Sequence, residues 1–237
     1  MKGKIMKTKL LTAALLLAVS TSSTYAQQLE ITVTNLTQGL YYTPLLVSAH
    51  NSDVTLFSLG EVASPELQAM AEGGDISGLS AMLSNANATS IENPAAGLLA
   101  PAMSTTTMLD TAEGNNYLSI VAMLLPTNDG FIGLNSWEIP SEVGTYTFTL
   151  NAYDAGTEAN NEVINGGGAP GVLGIPADPS GKNGTGATGV TMAEDNNKVH
   201  IHRGNLGDDD LSGGKSDLVN SVHRWLNPVA RVTVKVM

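Results

Sequence analysis

The feature that most constrains the fold is an almost unbroken apolar run, Tyr117–Leu125, which predicts a buried β-strand. The next strongly patterned segment, Thr145–Leu150, alternates threonine with larger residues, which is the period of two that a β-strand imposes on its side chains. A few residues after each segment the chain carries an aspartate in a predicted turn, first Asp129 and then Asp154. The pattern therefore predicts two strands with carboxylates at their ends.

The two aspartates are candidate ligands of a divalent cation. Asp129 is followed directly by Gly130, and Asp154 by an Ala-Gly pair, so both turns are free to expose backbone carbonyl groups. Hard cations such as Ca²⁺ take several oxygen ligands of this kind. The alternative is that each aspartate only accepts hydrogen bonds from the backbone of its own turn. The residues alone leave both interpretations open.

Four segments together resemble a known family. Asn128–Leu134 and Tyr153–Glu158 are similar to the paired Pro-Asp-Trp-Phe-Val-Gly and Tyr-Asp-Ala-Gly-Thr-Asp motifs of the spondin domain, which occurs in F-spondin, mindin and short bacterial secreted proteins. Pro228–Val234 resembles the Pro-x-Ala-Arg-Val ending of that family, and Ala49–Asp53 resembles its Ala-His-x-x-Asp segment. The resemblance covers nearly all of the chain from about residue 50 onward.

The resemblance implies a C2-like antiparallel β-sandwich that binds calcium and is not an enzyme. In the family, an acidic residue in the strand before the buried one joins the two motif aspartates around the ion. Glu113–Asn116 is predicted to be the turn of a hairpin between the Ser104–Leu109 strand and the Tyr117–Leu125 strand. Asp110, at the end of the first of these strands, has the matching spacing, and Glu113 is the alternative. The implied metal ligands are thus Asp110, Asp129 and Asp154. Family membership would also imply a role in surface or extracellular-matrix adhesion, with a protein or glycan ligand that the sequence does not identify.

Residues 1–26 have the pattern of a secretory signal peptide. Four lysines precede an apolar segment, Leu10–Val19, and small residues lead to a predicted cleavage site after Ala26. A membrane anchor is the alternative, but this apolar segment is much shorter than the ~20 residues that a membrane span requires. The expected mature protein is one secreted or periplasmic domain, residues 27–237.

The charge balance argues against nucleic acid as a partner. The formal net charge is −11 for the whole chain, and without the four lysines of residues 1–26 it becomes −15. Such a chain repels nucleic acid and anionic membranes and attracts cations, although solubility alone is the simpler explanation. There is no cysteine, so the stability of the domain has to come from its core, with a bound ion as a further source.

Shorter patterns complete the predicted fold. Ser64 followed by a proline begins a helix that ends at about Glu72 before two glycines, and Asp75 caps a second short helix. The segment Asn85–Ala102 is predicted to be a loop. Further strands are expected at Leu29–Thr34, Leu45–Ala49, Ser104–Leu109 and from Pro228 to the C-terminus. The predicted fold class is all-β, an antiparallel sandwich of about eight strands with short inserted helices.

Residues 165–189 are rich in glycine and poor in large apolar residues, which predicts a long surface loop. The Gly-Lys pairs at Gly181 and Gly214 do not make phosphate-binding loops, because the required upstream glycine is missing and no strand leads into them. The role of the loop is left open.

Three further possibilities involve other residues. His200 and His202 lie on one face of a short predicted strand, a geometry that copper and zinc sites use, and His50 and His223 are possible additional ligands. The alternative function is therefore a periplasmic metal- or ligand-binding protein that uses His200 and His202. Asp208–Gly213 resembles the start of a calcium loop, but Val219 occupies the position where an EF-hand has its glutamate. A Ser-His-Asp hydrolase is a third possibility, although no Gly-x-Ser-x-Gly motif is present.

Overall fold

The computed structural model describes residues 26–193 and 196–237, so the predicted signal peptide lies almost entirely outside the described residues. The described chain forms two β-sheets and two short helices. The elements are β1 (Gln28–Asn35), β2 (Tyr41–Tyr42), β3 (Leu46–His50), α1 (Pro65–Gly73), α2 (Ser77–Asn85), β4 (Thr89–Glu92), β5 (Ser104–Asp110), β6 (Tyr117–Leu125), β7 (Gly130–Glu138), β8 (Gly144–Leu150), β9 (Ala152–Asp154), β10 (His200–Ile201) and β11 (Ala230–Val236).

The predicted all-β class is confirmed, because every sheet pairing is antiparallel and the helices are short. The smaller sheet has four strands in the order β5-β1-β11-β8. The larger sheet has the order β10-β9-β7-β6-β3-β4, and β2 also pairs with β6. The described chain thus has eleven strands instead of about eight, since β2, β4, β9 and β10 are short segments without a strong sequence pattern.

β6 is buried on both faces, which explains its unbroken apolar sequence. Alternate residues, among them Ile120 and Leu124, face the core between the two sheets, together with Ile31 of the smaller sheet. The residues between them, Val121 and Met123, pack instead against a second core under the helices. The molecule therefore has three layers, with the larger sheet in the middle.

The ends of α1 confirm the predicted signals, whereas α2 has Ile76 at its cap position, without a side-chain cap hydrogen bond, instead of the predicted Asp75. The Ser64 side chain accepts a hydrogen bond from the amide of Leu67, and Gly74 ends α1 in the left-handed conformation with φ 73°. α2 begins after Asp75, whose side chain accepts a hydrogen bond from the amide of Ser77. No helix in residues 26–193 or 196–237 is long and apolar enough to cross a membrane.

Two local predictions were wrong. The segment 85–102, predicted to be a loop, contains the edge strand β4, which pairs with β3. β5 does not form a hairpin with β6, because it pairs along its whole length with β1 in the other sheet. Residues 111–116 therefore connect the two sheets instead of making a tight turn within one sheet. The threonine-rich sequence of β5 is compatible with a strand in either sheet, so its local pattern does not specify which strand it pairs with.

Residues 155–229, called the loop region below, contain only the two-residue strand β10 as regular structure in their described part. The Gly-rich segment 165–189 lies within this region and forms neither helix nor strand, apart from an isolated bridge between Ile164 and Ile175. Polar side chains are nevertheless buried here, and they are Glu158, Asn160, Asn161, Glu162, Asp178, His202, Asn205, Ser216, Asp217 and His223.

Candidate metal-binding site

The structure brings Asp129 and Asp154 together at one end of the larger sheet. Asp129 lies in the turn between β6 and β7, and Asp154 is the last residue of β9. The pairing of β7 with β9 places Asp154 opposite Gly130, the neighbour of Asp129. The amide of Ala155 also donates a hydrogen bond of 3.2 Å to the carbonyl oxygen of Asp129. Two residues that are 25 positions apart in the sequence therefore share one corner of the fold.

Asp129 is completely buried, and its two carboxylate oxygens differ in their surroundings. Oδ2 accepts hydrogen bonds from the amides of Thr157 (2.8 Å) and Glu158 (3.1 Å) and from the Thr157 hydroxyl (3.2 Å). Oδ1 is buried and has no hydrogen-bond partner. A buried polar atom without a partner is costly, so Oδ1 is a candidate binding atom for a proton or a cation.

Asp154 is also buried, and both of its oxygens have neighbours. Oδ1 accepts a hydrogen bond from the amide of Gly156 (2.8 Å), and Oδ2 accepts one from the Asn160 side chain (2.6 Å). The Nε2 atom of His200, a partly exposed side chain, lies 3.7 Å from Oδ2. Asp154 therefore lies between Asp129 on one side and the more exposed His200 on the other.

The site has an excess of negative charge. Burial raises the pKa of Asp129 well above its usual range, and the nearby carboxylate of Asp154 raises it further, against the opposing effect of the Thr157 and Glu158 amides. Within the described part of the chain, carboxylates form ion pairs only with two histidines, and no lysine or arginine balances this site. Two adjacent buried carboxylates in such surroundings require a proton or a cation to compensate them.

Glu158 is a further member of the site that the sequence reasoning missed. Its Oε2 accepts hydrogen bonds from Asn128 (3.2 Å) and the amide of Gly174 (3.0 Å), whereas Oε1 is buried without a partner. Burial raises the pKa of Glu158 to about 7, and the carboxylate of Glu72 in α1 adds a smaller increase. Its place in the Tyr153–Glu158 motif was the available signal, because the family motif ends in an acidic residue.

Asp110 is not part of this site. It is exposed at the end of β5 in the smaller sheet, where it accepts a hydrogen bond from the Gln28 side chain (2.9 Å). The connection after Asp110 leads to the first residue of β6, whereas Asp129 follows the last one. β6 spans roughly 30 Å at ~3.3 Å per residue, so the two carboxylates lie near opposite ends of the strand. Glu113, the alternative, belongs to the same connection and is exposed.

The residues present fit a cation held by two carboxylates, but they do not form a closed protein cage. Among the described residues, no three acidic or histidine side chains converge closely enough to form a metal centre. Asp129 and Asp154 supply adjacent carboxylates, and Asp129 Oδ1 has no other partner. An ion here would take its remaining ligands from backbone carbonyl groups and water, both of which are common ligands of Ca²⁺.

His200 and His202 have different surroundings. His200 is paired with Asp154 across β9 and β10. His202 is buried, its Nδ1 accepts a hydrogen bond from the amide of Gly204 (2.9 Å), and its ring lies 5.0 Å from the ring of Trp225. His202 therefore has a packing role beside Trp225, whereas His200 belongs to the acidic site.

The other two histidines are structural links elsewhere in the fold. His223 is buried, its Nδ1 accepts a hydrogen bond from the amide of Val219, and its Nε2 lies 3.7 Å from Asp178. Burial lowers the pKa of His223, although the charge of Asp178 opposes this effect. The pair connects the Gly-rich segment to the chain around residue 220.

His50 and Ser119 form a buried pair that bears on the hydrolase hypothesis. The Ser119 hydroxyl lies 2.7 Å from Nε2 of His50, while Nδ1 lies 2.8 Å from the carbonyl oxygen of Asn51. A Ser-His-Asp triad would have a carboxylate at the second nitrogen. Both side chains are completely buried, so the pair links β3 to β6 and offers no exposed nucleophile.

Asp208, the first residue of the calcium-loop resemblance, already has partners for both oxygens. Oδ1 accepts a hydrogen bond from the amide of Asp210, and Oδ2 accepts two from the amides of Lys215 and Ser216, at 2.8 to 3.0 Å. The latter two bonds lower the pKa of Asp208. The geometry favours a turn closed by its own carboxylate over a cation loop.

Comparison with known families identifies the class of protein. The chain matches the Spondin_N family over residues 21–163, which is more than half of its 237 residues. The chain therefore belongs to the spondin-domain family, whose members are generally non-enzymatic and typically extracellular. A comparison with curated proteins finds none that matches.

The family match includes Asp129, Asp154 and Glu158 but ends before β10 and β11. β11 is nevertheless an integral strand of the sandwich, because it pairs with β1 on one side and β8 on the other. The similarity of Pro228–Val234 to the family ending lies outside the matched residues and stays a resemblance. His200 likewise lies outside the matched range.

Proposed function

We propose that this chain is an exported, non-enzymatic spondin-domain protein that binds Ca²⁺ at the Asp129–Asp154 pair and acts in adhesion to a surface or an extracellular matrix. The observation that carries the metal part is the state of Asp129. Its carboxylate is completely buried beside that of Asp154, has no basic partner among the described residues, and leaves Oδ1 without a hydrogen bond.

A divalent cation compensates the negative charges of the two carboxylates better than a proton does. One proton neutralises one carboxylate, whereas a 2+ ion balances both and takes oxygen atoms as ligands. The amides of Thr157, Glu158 and Gly156 already fix the orientation of the two carboxylates, so little side-chain freedom is lost when an ion binds. Asp129 and Asp154 would hold the ion, and backbone carbonyl groups and water would complete its shell.

The ion would supply positive charge that cross-links the β6–β7 turn to β9. Because the Asp129 carboxylate also anchors the amides of Thr157 and Glu158, the same ion would stabilise the start of the loop region. The proposed role is therefore structural, and it holds one end of the sandwich together in an extracellular environment where Ca²⁺ is plentiful.

The export and adhesion parts have separate support. Export is supported by the lysine-rich and apolar pattern of residues 1–26 and by the typical location of the family. Adhesion is supported by family membership, with a protein or glycan as the partner. An intact mass beginning at Gln27 would test export, and binding of the mature protein to immobilised matrix proteins and glycans, with and without Ca²⁺, would test adhesion.

Thermal unfolding tests the metal site. A ligand present at 100 times its Kd stabilises the folded state by ~2.7 kcal/mol, which raises Tm by several degrees in a domain of this size. Extracellular sites bind Ca²⁺ with Kd values of ~10⁻⁴–10⁻³ M, so millimolar Ca²⁺ should raise Tm and a chelator should reverse the effect. Asp129→Asn and Asp154→Asn should each abolish most of this shift, since each removes one of the two charges.

Asp110→Asn is the matched control, because it removes the same charge from an exposed residue near the other end of β6. Its Ca²⁺-dependent shift should equal that of the wild type. If Tm is indifferent to Ca²⁺ and to the chelator, the proposed site is wrong. If Ca²⁺ has no effect but acid stabilises the wild type and not Asp129→Asn, the carboxylates share a proton instead.

A further inference from the structure

We infer that the side-chain amide of Asn183 is a site of spontaneous deamidation, whereas that of Asn165 is protected by the fold. These residues begin the two Asn-Gly pairs of the sequence, Asn165-Gly166 and Asn183-Gly184. Both pairs lie in the Gly-rich segment 165–189, and both asparagines are exposed to solvent. The inference concerns a covalent modification and goes beyond the proposed function, because neither asparagine belongs to the metal site.

Deamidation at an Asn-Gly pair is an intramolecular reaction that needs no enzyme. The glycine nitrogen loses its proton to hydroxide and forms a bond to Cγ of the asparagine, and glycine favours this attack because it has no Cβ to hinder it. The Cγ–Nδ2 bond then breaks, and the side-chain nitrogen takes a proton from water and leaves as ammonia. Water opens the resulting succinimide ring to aspartate or to isoaspartate, in which the main chain continues through the side chain.

The side chain of Asn165 is held at both ends of its amide. Nδ2 donates a hydrogen bond to the carbonyl oxygen of Leu173 (2.9 Å), and Oδ1 accepts one from the amide of Gly167 (3.0 Å). Gly174 packs closely on the same group, since a Cβ built there would lie 2.0 Å from Oδ1. Cγ of Asn165 can therefore reach the nitrogen of Gly166 only after these contacts break.

The side chain of Asn183 has no such restraint. Among the residues that the structure describes, none forms a hydrogen bond with it, and residues 181–186 are all exposed. The Asn183 side chain and the peptide before it are therefore free to move toward the nitrogen of Gly184. An intramolecular reaction requires the two reacting atoms to meet in the right geometry, so this freedom favours ring closure at Asn183.

Gly184 packs against two acceptors of the loop region, so a modification beside it affects ordered structure. A Cβ built on Gly184 would lie 2.2 Å from the carbonyl oxygen of Ile164 and 3.1 Å from Oδ2 of Asp217. The next amide, that of Thr185, donates a hydrogen bond to Oδ1 of Asp217 (2.6 Å). Isoaspartate at position 183 adds one carbon atom to the main chain and a negative charge near this carboxylate, and both changes should loosen the contact between Thr185 and Asp217.

Peptide mapping of the mature chain by mass spectrometry, after incubation at mildly alkaline pH, tests the inference. Digestion at acidic pH limits further deamidation during the measurement. In the folded protein, loss of the side-chain amide should be at least tenfold faster at Asn183 than at Asn165. In guanidinium chloride, the two rates should agree within threefold, because only the folded chain restrains Asn165.

Two variants and a second measurement locate the product. Methylation of the aged protein by an isoaspartate-specific methyltransferase should be lost in Asn183→Gln, because the longer glutamine side chain closes a ring much more slowly. The matched control, Asn165→Gln, should retain it. Hydrogen exchange at the amides of Thr185 and Ala187, which both donate to Asp217, should be at least tenfold faster in the modified fraction of aged wild type and unchanged in aged Asn183→Gln.

The outcomes separate the parts of the inference. Equal rates at the two asparagines in the folded protein overturn the protection of Asn165, and methylation that persists in Asn183→Gln overturns Asn183 as the site. A tenfold difference that persists in guanidinium chloride shows that the local sequence and not the fold selects Asn183, and it also overturns the inference. Unchanged exchange at Thr185 and Ala187 overturns the loosening. None of these results affects the calcium proposal, which thermal unfolding tests separately.

Discussion

The β-sandwich and the loop region provide hydrogen-bond partners for their backbone groups in different ways. In the sandwich, the strands pair along ladders such as β1 with β5 and β11, and apolar side chains fill the core between the sheets. In the loop region, backbone amides donate to buried carboxylates instead of to the carbonyl groups of a neighbouring strand. Glu162 accepts hydrogen bonds from the amides of Leu206 and Gly207 and from the Ser216 hydroxyl.

Asp217 is the clearest case of such a carboxylate. It accepts hydrogen bonds from the amides of Ile164 (2.7 Å), Thr185 (2.6 Å) and Ala187 (3.3 Å), and from the Thr185 hydroxyl (2.8 Å). One side chain thereby connects three segments that are far apart in sequence. The comparison teaches that a glycine-rich chain with almost no strand can still be ordered when buried carboxylates accept its amide hydrogens.

The comparison also explains where the candidate site lies. Asp129 and Asp154 belong to the sandwich, but their carboxylates accept hydrogen bonds from the first residues of the loop region, Gly156 to Glu158, and from Asn160. The site is therefore the junction between the two parts of the molecule. A change in the charge of this site should therefore destabilise the loop region before it destabilises the sandwich.

The largest expected effect is in the sandwich core. Ile31→Ala removes a side chain that is almost completely buried between the two sheets, so it should lower the free energy of unfolding by about 2–5 kcal/mol. Urea unfolding would measure the loss. Hydrogen exchange should become faster in both parts of the molecule, because the loop region cannot remain folded without the sandwich. Faster exchange confined to the loop region would contradict this dependence.

Asp217→Ala should have the next largest effect, but a more local one. It leaves the part-buried amides of Ile164, Thr185 and Ala187 without this acceptor, and the expected loss is about 1–3 kcal/mol. Hydrogen exchange should accelerate in the loop region and stay slow in β1, β6 and β11, since the sandwich ladders do not involve Asp217. Asp209→Ala is the control, because Asp209 is an exposed carboxylate in the same region. Equal effects of the two variants would refute the bridging role.

Glu158→Gln should change the pH dependence of stability. Burial raises the pKa of Glu158 from 4.5 to about 7, so the folded state holds this proton more tightly than the unfolded state does. Its ionisation therefore costs stability as pH rises from about 4.5 to 7. In the presence of a chelator, the Gln variant should gain about 1–2 kcal/mol relative to the wild type across that range, a value reduced for partial solvent screening.

Chemical unfolding of both proteins at several pH values would measure this gain. Glu142→Gln, a change at an exposed glutamate between β7 and β8, should show no such trend. Parallel pH profiles of stability for wild type and Glu158→Gln would show that folding does not raise the pKa of Glu158.

The smallest effect is expected on the outer face of the smaller sheet. The hydroxyl groups of Thr147 and Thr233 lie 3.2 Å apart on neighbouring strands and are exposed to solvent. Thr147→Ala should cost only a few tenths of a kcal/mol, up to about 1 kcal/mol, which is the range for cross-strand pairs. Urea unfolding checks this, and a loss as large as that of Asp217→Ala would remove the contrast between the two regions.

Much of the fold could be predicted because its signals are local. The Tyr117–Leu125 run coincides with β6, and Ser64 with Gly74 mark the ends of α1, since capping and burial patterns depend on neighbouring residues. The turn residues around Asp129 and Asp154 also predicted that both aspartates lie at the ends of strands. β4 was missed because a short edge strand has little pattern of its own.

The candidate site was only partly predictable, because its composition depends on strand pairing. Asp110 has a suitable spacing in sequence. However, β5 pairs with β1 in the other sheet, which places Asp110 far from Asp129 and Asp154. Glu158 and His200 join Asp129 and Asp154 through the β7–β9–β10 pairings and the path of the loop region. None of these pairings has a local signature.

The sequence by itself determined the class of fold, the ends of its main strands and helices, and the family to which the chain belongs. The tertiary structure alone decided which carboxylates became neighbours and which became buried. The physical reason is that strand patterns specify which face of a strand is apolar but not which strand lies beside it. The electrostatic state of Asp129, in contrast, depends on residues that only the folded chain brings within reach.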